Sequence, residues 1–180
     1  MEKEDVENLL FKNTEAKEKY GEKYLDYFLD QYKTYLSMLD NISDRRQKSN
    51  EFFLSLNTVI IGALGYVETK DIPHAPVIFF IVPVVGALIS FFWYHIIHSY
   101  KNLNTAKFSV VHSIEQHLPI AMFETEWKLL DQGTNKKKYY PFTHIELHIP
   151  KIFMGIYAFL LLINIPWGQV MNFIRYIFSY

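Results

Sequence analysis

Pro76-Val77-Ile78-Phe79-Phe80-Ile81-Val82-Pro83-Val84-Val85-Gly86-Ala87-Leu88-Ile89-Ser90-Phe91-Phe92-Trp93-Tyr94-His95-Ile96-Ile97 decides the fold. No Asp, Glu, Lys or Arg occurs between Asp71 and Lys101. About 20 apolar residues cross a bilayer core as a helix, so this stretch is predicted to span a membrane. Pro83 and Gly86 would bend a helix in water. Membrane helices tolerate such residues when neighbours satisfy the freed carbonyl.

Two further runs flank it. Phe52 to Val67 is uncharged but short for a full crossing, and needs a turn of flanking helix or a thinner bilayer. Ile152 to Ile165 is the third run, closed by Pro166-Trp167. A buried core helix is the alternative for each short run. Beside an obvious span, crossing is the better reading. The mean hydropathy of zero therefore averages charged stretches with uncharged ones.

The cations agree with three crossings. Residues 1–50 hold nine Lys or Arg, and Lys101, Lys107, Lys128, Lys136, Lys137, Lys138 and Lys151 lie between or beside the second and third runs. The link after the first run holds only Lys70, and the C-terminal tail only Arg175. Cations concentrate on the cytoplasmic side of a membrane. The expected topology is N-terminus in, link out, central region in and C-terminus out. The acidic start, Met1-Glu2-Lys3-Glu4-Asp5, has no apolar region behind it, so the first span is expected to insert as an uncleaved anchor.

Outside the spans the pattern is helical. Leu25, Phe28, Tyr32, Tyr35, Leu39 and Ile42 are spaced 3, 4, 3, 4, 3. That heptad seam suits helix-on-helix packing, either between chains or against the chain's own domain. No breaker separates it from the first span, so one helix is expected to run from cytoplasm into bilayer. Within that span, Ser55, Thr58, Gly62 and Gly65 form a stripe of small residues, which lets membrane helices approach closely. Asn57 adds a polar group at similar depth. Packing is the first reading of these five residues and a pore lining the second.

Phe108, Val111, Ile114 and Leu118 carry the second helix on towards Pro119. Glu124 to Leu130 reads as a short helix, and Asp131 to Asn135 as a turn in which Gly and Asn take left-handed conformations. Lys136-Lys137-Lys138-Tyr139-Tyr140 suits anionic lipid headgroups at an interface. Thr143-His144-Ile145-Glu146 matches a capping box, which starts a helix that becomes the third span. Trp167, Val170, Met171, Ile174, Ile177 and Phe178 share one face of an expected interfacial helix.

Little chemistry is written here. The chain has no cysteine, so disulfides, thiolate metal sites and cysteine nucleophiles are excluded. A net charge of -1 gives no basic field for nucleic acid. His144 and His148 have a metal-holding spacing, but Glu146 does not follow the first histidine as the HExxH pattern requires. Phosphate loops and the GxSxG elbow are missing, and no cofactor motif stands in their place. The spans carry no charged residue of the kind that proton relays leave in a membrane.

Several segments together resemble the RipA family of octameric bacterial inner-membrane proteins. They are Ser43-Asp44-Arg45-Arg46-Gln47 leading into Asn50-Glu51-Phe52-Phe53-Leu54-Ser55-Leu56-Asn57-Thr58, and Ser99-Tyr100-Lys101-Asn102-Leu103-Asn104 with Lys107-Phe108. Ile114-Glu115 with Leu118-Pro119, Glu126-Trp127-Lys128-Leu129-Leu130, and Thr143-His144-Ile145-Glu146 with Ile149-Pro150 complete the set. The resemblance covers about residues 25 to 155. It implies a homo-octamer in the cytoplasmic membrane, loosely tied to envelope function, with no catalytic residue or cofactor.

The expected fold is all-α, with three transmembrane helices and helical cytoplasmic extensions, assembled as a homo-oligomer. The expected segments are 1–20 mobile or loosely docked, 21–50 cytoplasmic helix, 51–69 first span and 70–75 link. They continue as 76–98 second span, 99–143 cytoplasmic, 144–166 third span and 167–180 interfacial helix. Asp44, Arg45 and Arg46 on one cytoplasmic segment and Glu115 and Glu126 on the other are expected to form an Arg–carboxylate network, within or between subunits, since Arg favours bidentate, geometrically fixed pairing. Trp127 is a candidate anchor in a subunit contact. A non-enzymatic membrane scaffold is the first functional reading, and a channel along the oligomer axis the second.

Overall fold

The computed structural model describes residues 3–13, 15–70, 75–139, 141–165, 167, 168 and 177. Of residues 3, 4, 75, 76 and 143 it describes the backbone alone. In chain order the helices are α1 (Lys3–Leu10), α2 (Ala16–Tyr20), α3 (Tyr24–Glu68), α4 (Ala75–Glu115), α5 (Met122–Leu129) and α6 (Phe142–Asn164). Short 3-10 turns sit at Gly21–Lys23 and Asp131–Gly133. There is no strand among the described residues, so the fold is all-α. Helices α3, α4 and α6 are each long and apolar enough to cross a membrane.

Helix α3 runs 45 residues without a break, which at 1.5 Å per residue is about 65 Å. This is the expected single helix. Helix α4 passes through Pro83, and α6 through Pro150. The chain forms two compact units: Met1–Asn50 with Ile96–Glu146, and Glu51–His95 with Leu147–Tyr180.

In the first unit α3 packs on α4. The core holds Tyr32, Leu39 and Val111, backed by Tyr35, Leu36, Phe108, Ile114, Leu118 and Phe123. The heptad seam is thus buried against the chain's own helices from Phe28 onward, while Leu25 is exposed. On α4 Ile97, Lys107, Val111 and Glu115 are buried on one face, at the period of about 3.6 residues of a straight helix.

The first residues form a docked helix. Residues 3–10 form α1, Val6 is buried, and Glu7 meets His117 at 3.1 Å. The Phe11 ring lies 4.1 Å from the His117 ring and 6.3 Å from that of Phe28. The apolar positions Val6 and Phe11 explain the docking, because short helices form in proteins through tertiary packing. Helix α4 also ends earlier than its apolar pattern, at Glu115. There His117 and Leu118 close the last turn onto the carbonyls of Ile114 and Glu115.

The turn after α5 differs in detail from expectation. Asp131, Gln132 and Gly133 are its left-handed residues, at φ of 51°, 54° and 72°. Asn135 instead accepts the Lys137 N–H on its side chain at 3.1 Å, a local asparagine turn. A Cβ on Gly133 would meet the Trp127 ring at 3.0 Å, so glycine also gives that ring its seat.

In the second unit the interior is built from single residues of three helices. Trp93 stacks on Phe53 at 5.8 Å and tilts against Phe153 at 6.1 Å. Gly86 faces Tyr157, and any Cβ there would land on the phenol ring. Gly86 is therefore a close-approach glycine, the kind of small residue on which membrane helices pack. Trp167 donates its indole N–H to the Leu162 carbonyl at 3.0 Å, beyond the end of α6. The interfacial helix expected over 167–180 lies largely outside the described residues.

Candidate functional site

The span unit contains one fully buried polar cluster. Asn57 on α3, Ser90 on α4 and Tyr157 on α6 are each 0% exposed. Tyr157 donates its hydroxyl to Asn57 Oδ1 at 3.0 Å, and Ser90 reaches the same oxygen at 2.9 Å. The Ser90 hydroxyl also lies 2.9 Å from the Gly86 carbonyl, and Asn57 Nδ2 donates to the Phe53 carbonyl at 2.8 Å. Without water, polar groups in a bilayer must be satisfied by protein, and this cluster does so within one chain.

Asn57 is therefore separated from the stripe it was grouped with. Ser55, Thr58, Gly62 and Gly65 are all exposed, with open space around both glycines. The Thr58 hydroxyl is satisfied by the Leu54 carbonyl at 2.8 Å. Within the protomer Asn57 is buried and bonded to the two neighbouring helices. Ser90 and Tyr157 were not singled out in the sequence. A tyrosine far from either end of an apolar run is itself a signal, since tyrosine favours the membrane interface.

Within the protomer, the first unit pairs Arg46 with a carboxylate other than Glu115 and Glu126. Arg46 reaches Glu146, at 3.2 Å, and Asn50 Nδ2 donates to the other oxygen of Glu146 at 2.9 Å. Glu146 is buried although it lies near the start of α6. Its carboxylate serves Arg46 and Asn50, while the Thr143 side chain of the expected capping box lies outside the described residues. Arg46 sits on the inward seam of α3, whereas Asp44 and Arg45 face outward. Among the described residues no ion pair joins either of them to Glu115 or Glu126.

Glu115 has another task. It is 1% exposed, and its two oxygens accept the N–H groups of Phe123 and Glu124, each at 2.9 Å. Those are first-turn amides of α5, whose N-cap position, Ala121, offers no side-chain acceptor. A carboxylate at a helix N-terminus satisfies orphan donors and complements the dipole. The Tyr32 hydroxyl approaches the same carboxylate at 3.4 Å. Burial pushes the Tyr32 phenol above its ordinary pKa, and the charge of Glu115 and its hydrogen bond push the same way. Burial alone raises that of Tyr35, whose ring carries the Lys107 ammonium 4.4 Å from its centroid.

Glu126 is exposed, and its neighbour Trp127 is 38% exposed, edge-on to Tyr139 at 6.3 Å. Lys136 and Lys137 are exposed, and Lys138 pairs with Asp131 at 3.1 Å. Among the described residues no group of three His, Asp or Glu is placed to hold a metal ion.

Comparison with known proteins adds one relation. The octameric membrane protein family (8xMP) matches residues 29–166, from the buried seam of α3 to just past the end of α6. No curated protein and no solved structure matches the chain. Over that range run the three candidate spans, the Asn57 cluster and the Arg46–Glu146 pair. The chain belongs to the octameric membrane protein family, whose name implies self-association into an eight-subunit membrane assembly.

Proposed function

We propose that the chain is a non-enzymatic scaffold of the bacterial inner membrane, acting as a homo-octamer in envelope function, in keeping with its resemblance to RipA proteins. The observation that carries this reading is the Asn57 cluster. The Asn57 amide oxygen and the Tyr157 hydroxyl are used up inside the protomer. What remains outward on the span unit is largely apolar, including Phe80, Phe91, Phe92 and Phe159. An axis lined by such faces is filled by lipid or by phenyl rings rather than by a water column.

The exposed stripe Ser55, Thr58, Gly62 and Gly65 supplies the face on which subunits pack, and Asp44 and Arg45 supply polar contacts beside it. Lys136 and Lys137 meet anionic headgroups. The N-terminus is cytoplasmic and the C-terminus external, as the cation bias demands. A channel is the second reading, favoured by the outward hydroxyls of Ser55 and Thr58.

Ion flux through liposomes holding the intact oligomer separates the two. A scaffold gives the leak of empty liposomes. Flux that falls when Ser55 and Thr58 are replaced together by Leu would establish the pore and end the scaffold reading. Single cysteines test the topology: one at Thr69 labels from outside and one at Asn135 only after permeabilisation. The reverse pattern inverts the orientation.

A further inference from the structure

The first unit contains a cavity of about 530 Å³ between α4, α5 and the start of α6. That lies within the range of small-ligand sites. One side is aromatic: Phe108 and Phe123 meet edge to face at 6.1 Å, and Trp127 lies beside them on the lining. Glu126 adds a carboxylate to the lining, and Lys101 an ammonium. Asn104 also lines the cavity, and its Oδ1 is buried with no hydrogen-bond donor among the described residues.

Each feature restricts the occupant. Aromatic faces beside a carboxylate attract an organic cation. A buried amide oxygen without a donor is costly, so an occupant with N–H groups is favoured over a quaternary ammonium, which has none. Lys101 calls for an anionic group on the same molecule, and a lysine ammonium is a usual point-charge partner of phosphate. Lys101 is also the first cation after the uncharged stretch of α4, where a membrane helix meets the headgroup layer.

We propose that this cavity binds the phosphoethanolamine headgroup of a membrane lipid. The primary ammonium sits against the aromatic side, between Glu126 and Asn104 Oδ1, and the phosphate faces Lys101. This site is separate from the lysines at 136 and 137, which need only an anionic surface.

Trp127 provides the readout. Short-chain phosphatidylethanolamine is titrated into the purified full-length oligomer, and tryptophan emission is compared with that of a Trp127→Phe variant. The proposal expects a Trp127-dependent change. Binding should be about tenfold tighter for phosphatidylethanolamine than for phosphatidylcholine or phosphatidylglycerol, the equivalent of one charged hydrogen bond. Glu126→Gln and Lys101→Gln should each weaken it by a similar factor while the oligomer keeps its mass. Equal binding of phosphatidylcholine, or indifference to both substitutions, overturns the proposal. Free phosphoethanolamine binding as tightly as the lipid overturns the membrane source.

Discussion

The Tyr157 hydroxyl lies 3.0 Å from Asn57 Oδ1, joining α6 to α3 across the interior of the span unit. Lipid offers apolar helices no hydrophobic reason to associate, so close packing and interhelical hydrogen bonds must hold them. The bond joins residues 100 apart in sequence, and Ser90 brings α4 to the same oxygen.

Breaking that cluster is expected to cost stability without changing ion permeability. Tyr157→Phe removes one bond and should cost about 1 kcal/mol. Asn57→Leu leaves the Tyr157 hydroxyl without its acceptor and should cost more, about 2 kcal/mol. Thermal unfolding of the purified protein measures both. Equal stability of Asn57→Leu and the parent would remove the cluster's structural role.

The two kinds of glycine should respond oppositely. Gly86→Ala drives a methyl into the Tyr157 ring and should destabilise the protomer by about 1–3 kcal/mol. Gly62→Leu meets open space within the protomer. It should leave secondary structure intact while lowering the oligomer mass seen by light scattering. An unchanged mass would place the subunit contact on another face.

Arg46 is a partner of Glu146 rather than a free cation. Arg46→Met leaves that buried carboxylate without its counter-charge and should cost about 1–3 kcal/mol. Arg45→Met, on the outward face, should be near neutral for protomer stability. Denaturation of the two variants side by side decides the assignment, and equal losses would count against it.

Glu115 fixes α5. Glu115→Gln keeps one acceptor for the two amides and should cost about 1 kcal/mol, the worth of a cap. Hydrogen exchange at Phe123 and Glu124 should accelerate while α3 and α4 keep their protection. Uniform acceleration across all three helices would assign Glu115 to the general core instead.

Alkaline pH should loosen the first unit through Tyr32. Its folded pKa is raised above the ordinary tyrosine value of 10.0 by burial and by Glu115, so its stabilising contribution is fully present below that pH. Above it the unfolded chain releases the proton first, and stability falls as pH rises through the folded value. Tyr32→Phe should flatten the decline, as measured by unfolding between neutral and strongly alkaline pH. A decline as steep as the parent's would point to other groups.

Much of the fold was legible because helices in lipid announce themselves locally. The uncharged run 76–97 gave α4, and the unbroken heptad from Phe28 to Ile42 gave α3, because length, period and breakers are properties of adjacent residues. Which residues dock the start was not legible, for lack of such a signal. Val6, Glu7 and Phe11 gain meaning only beside His117, 110 residues from Glu7.

Sequence alone determined that there are three apolar helices and where they begin and end to within a few residues. Tertiary structure decided what each polar residue does. Asn57 and Thr58 are neighbours in the chain, yet one turns inward to Ser90 and Tyr157 and the other outward. Arg45 and Arg46 part in the same way, and Glu146 finds partners on α3 about a hundred residues away. Hydrophobic patterning is one-dimensional and can be read along a chain. A hydrogen bond or ion pair needs two groups at a set distance, and only the packing of distant helices creates that distance.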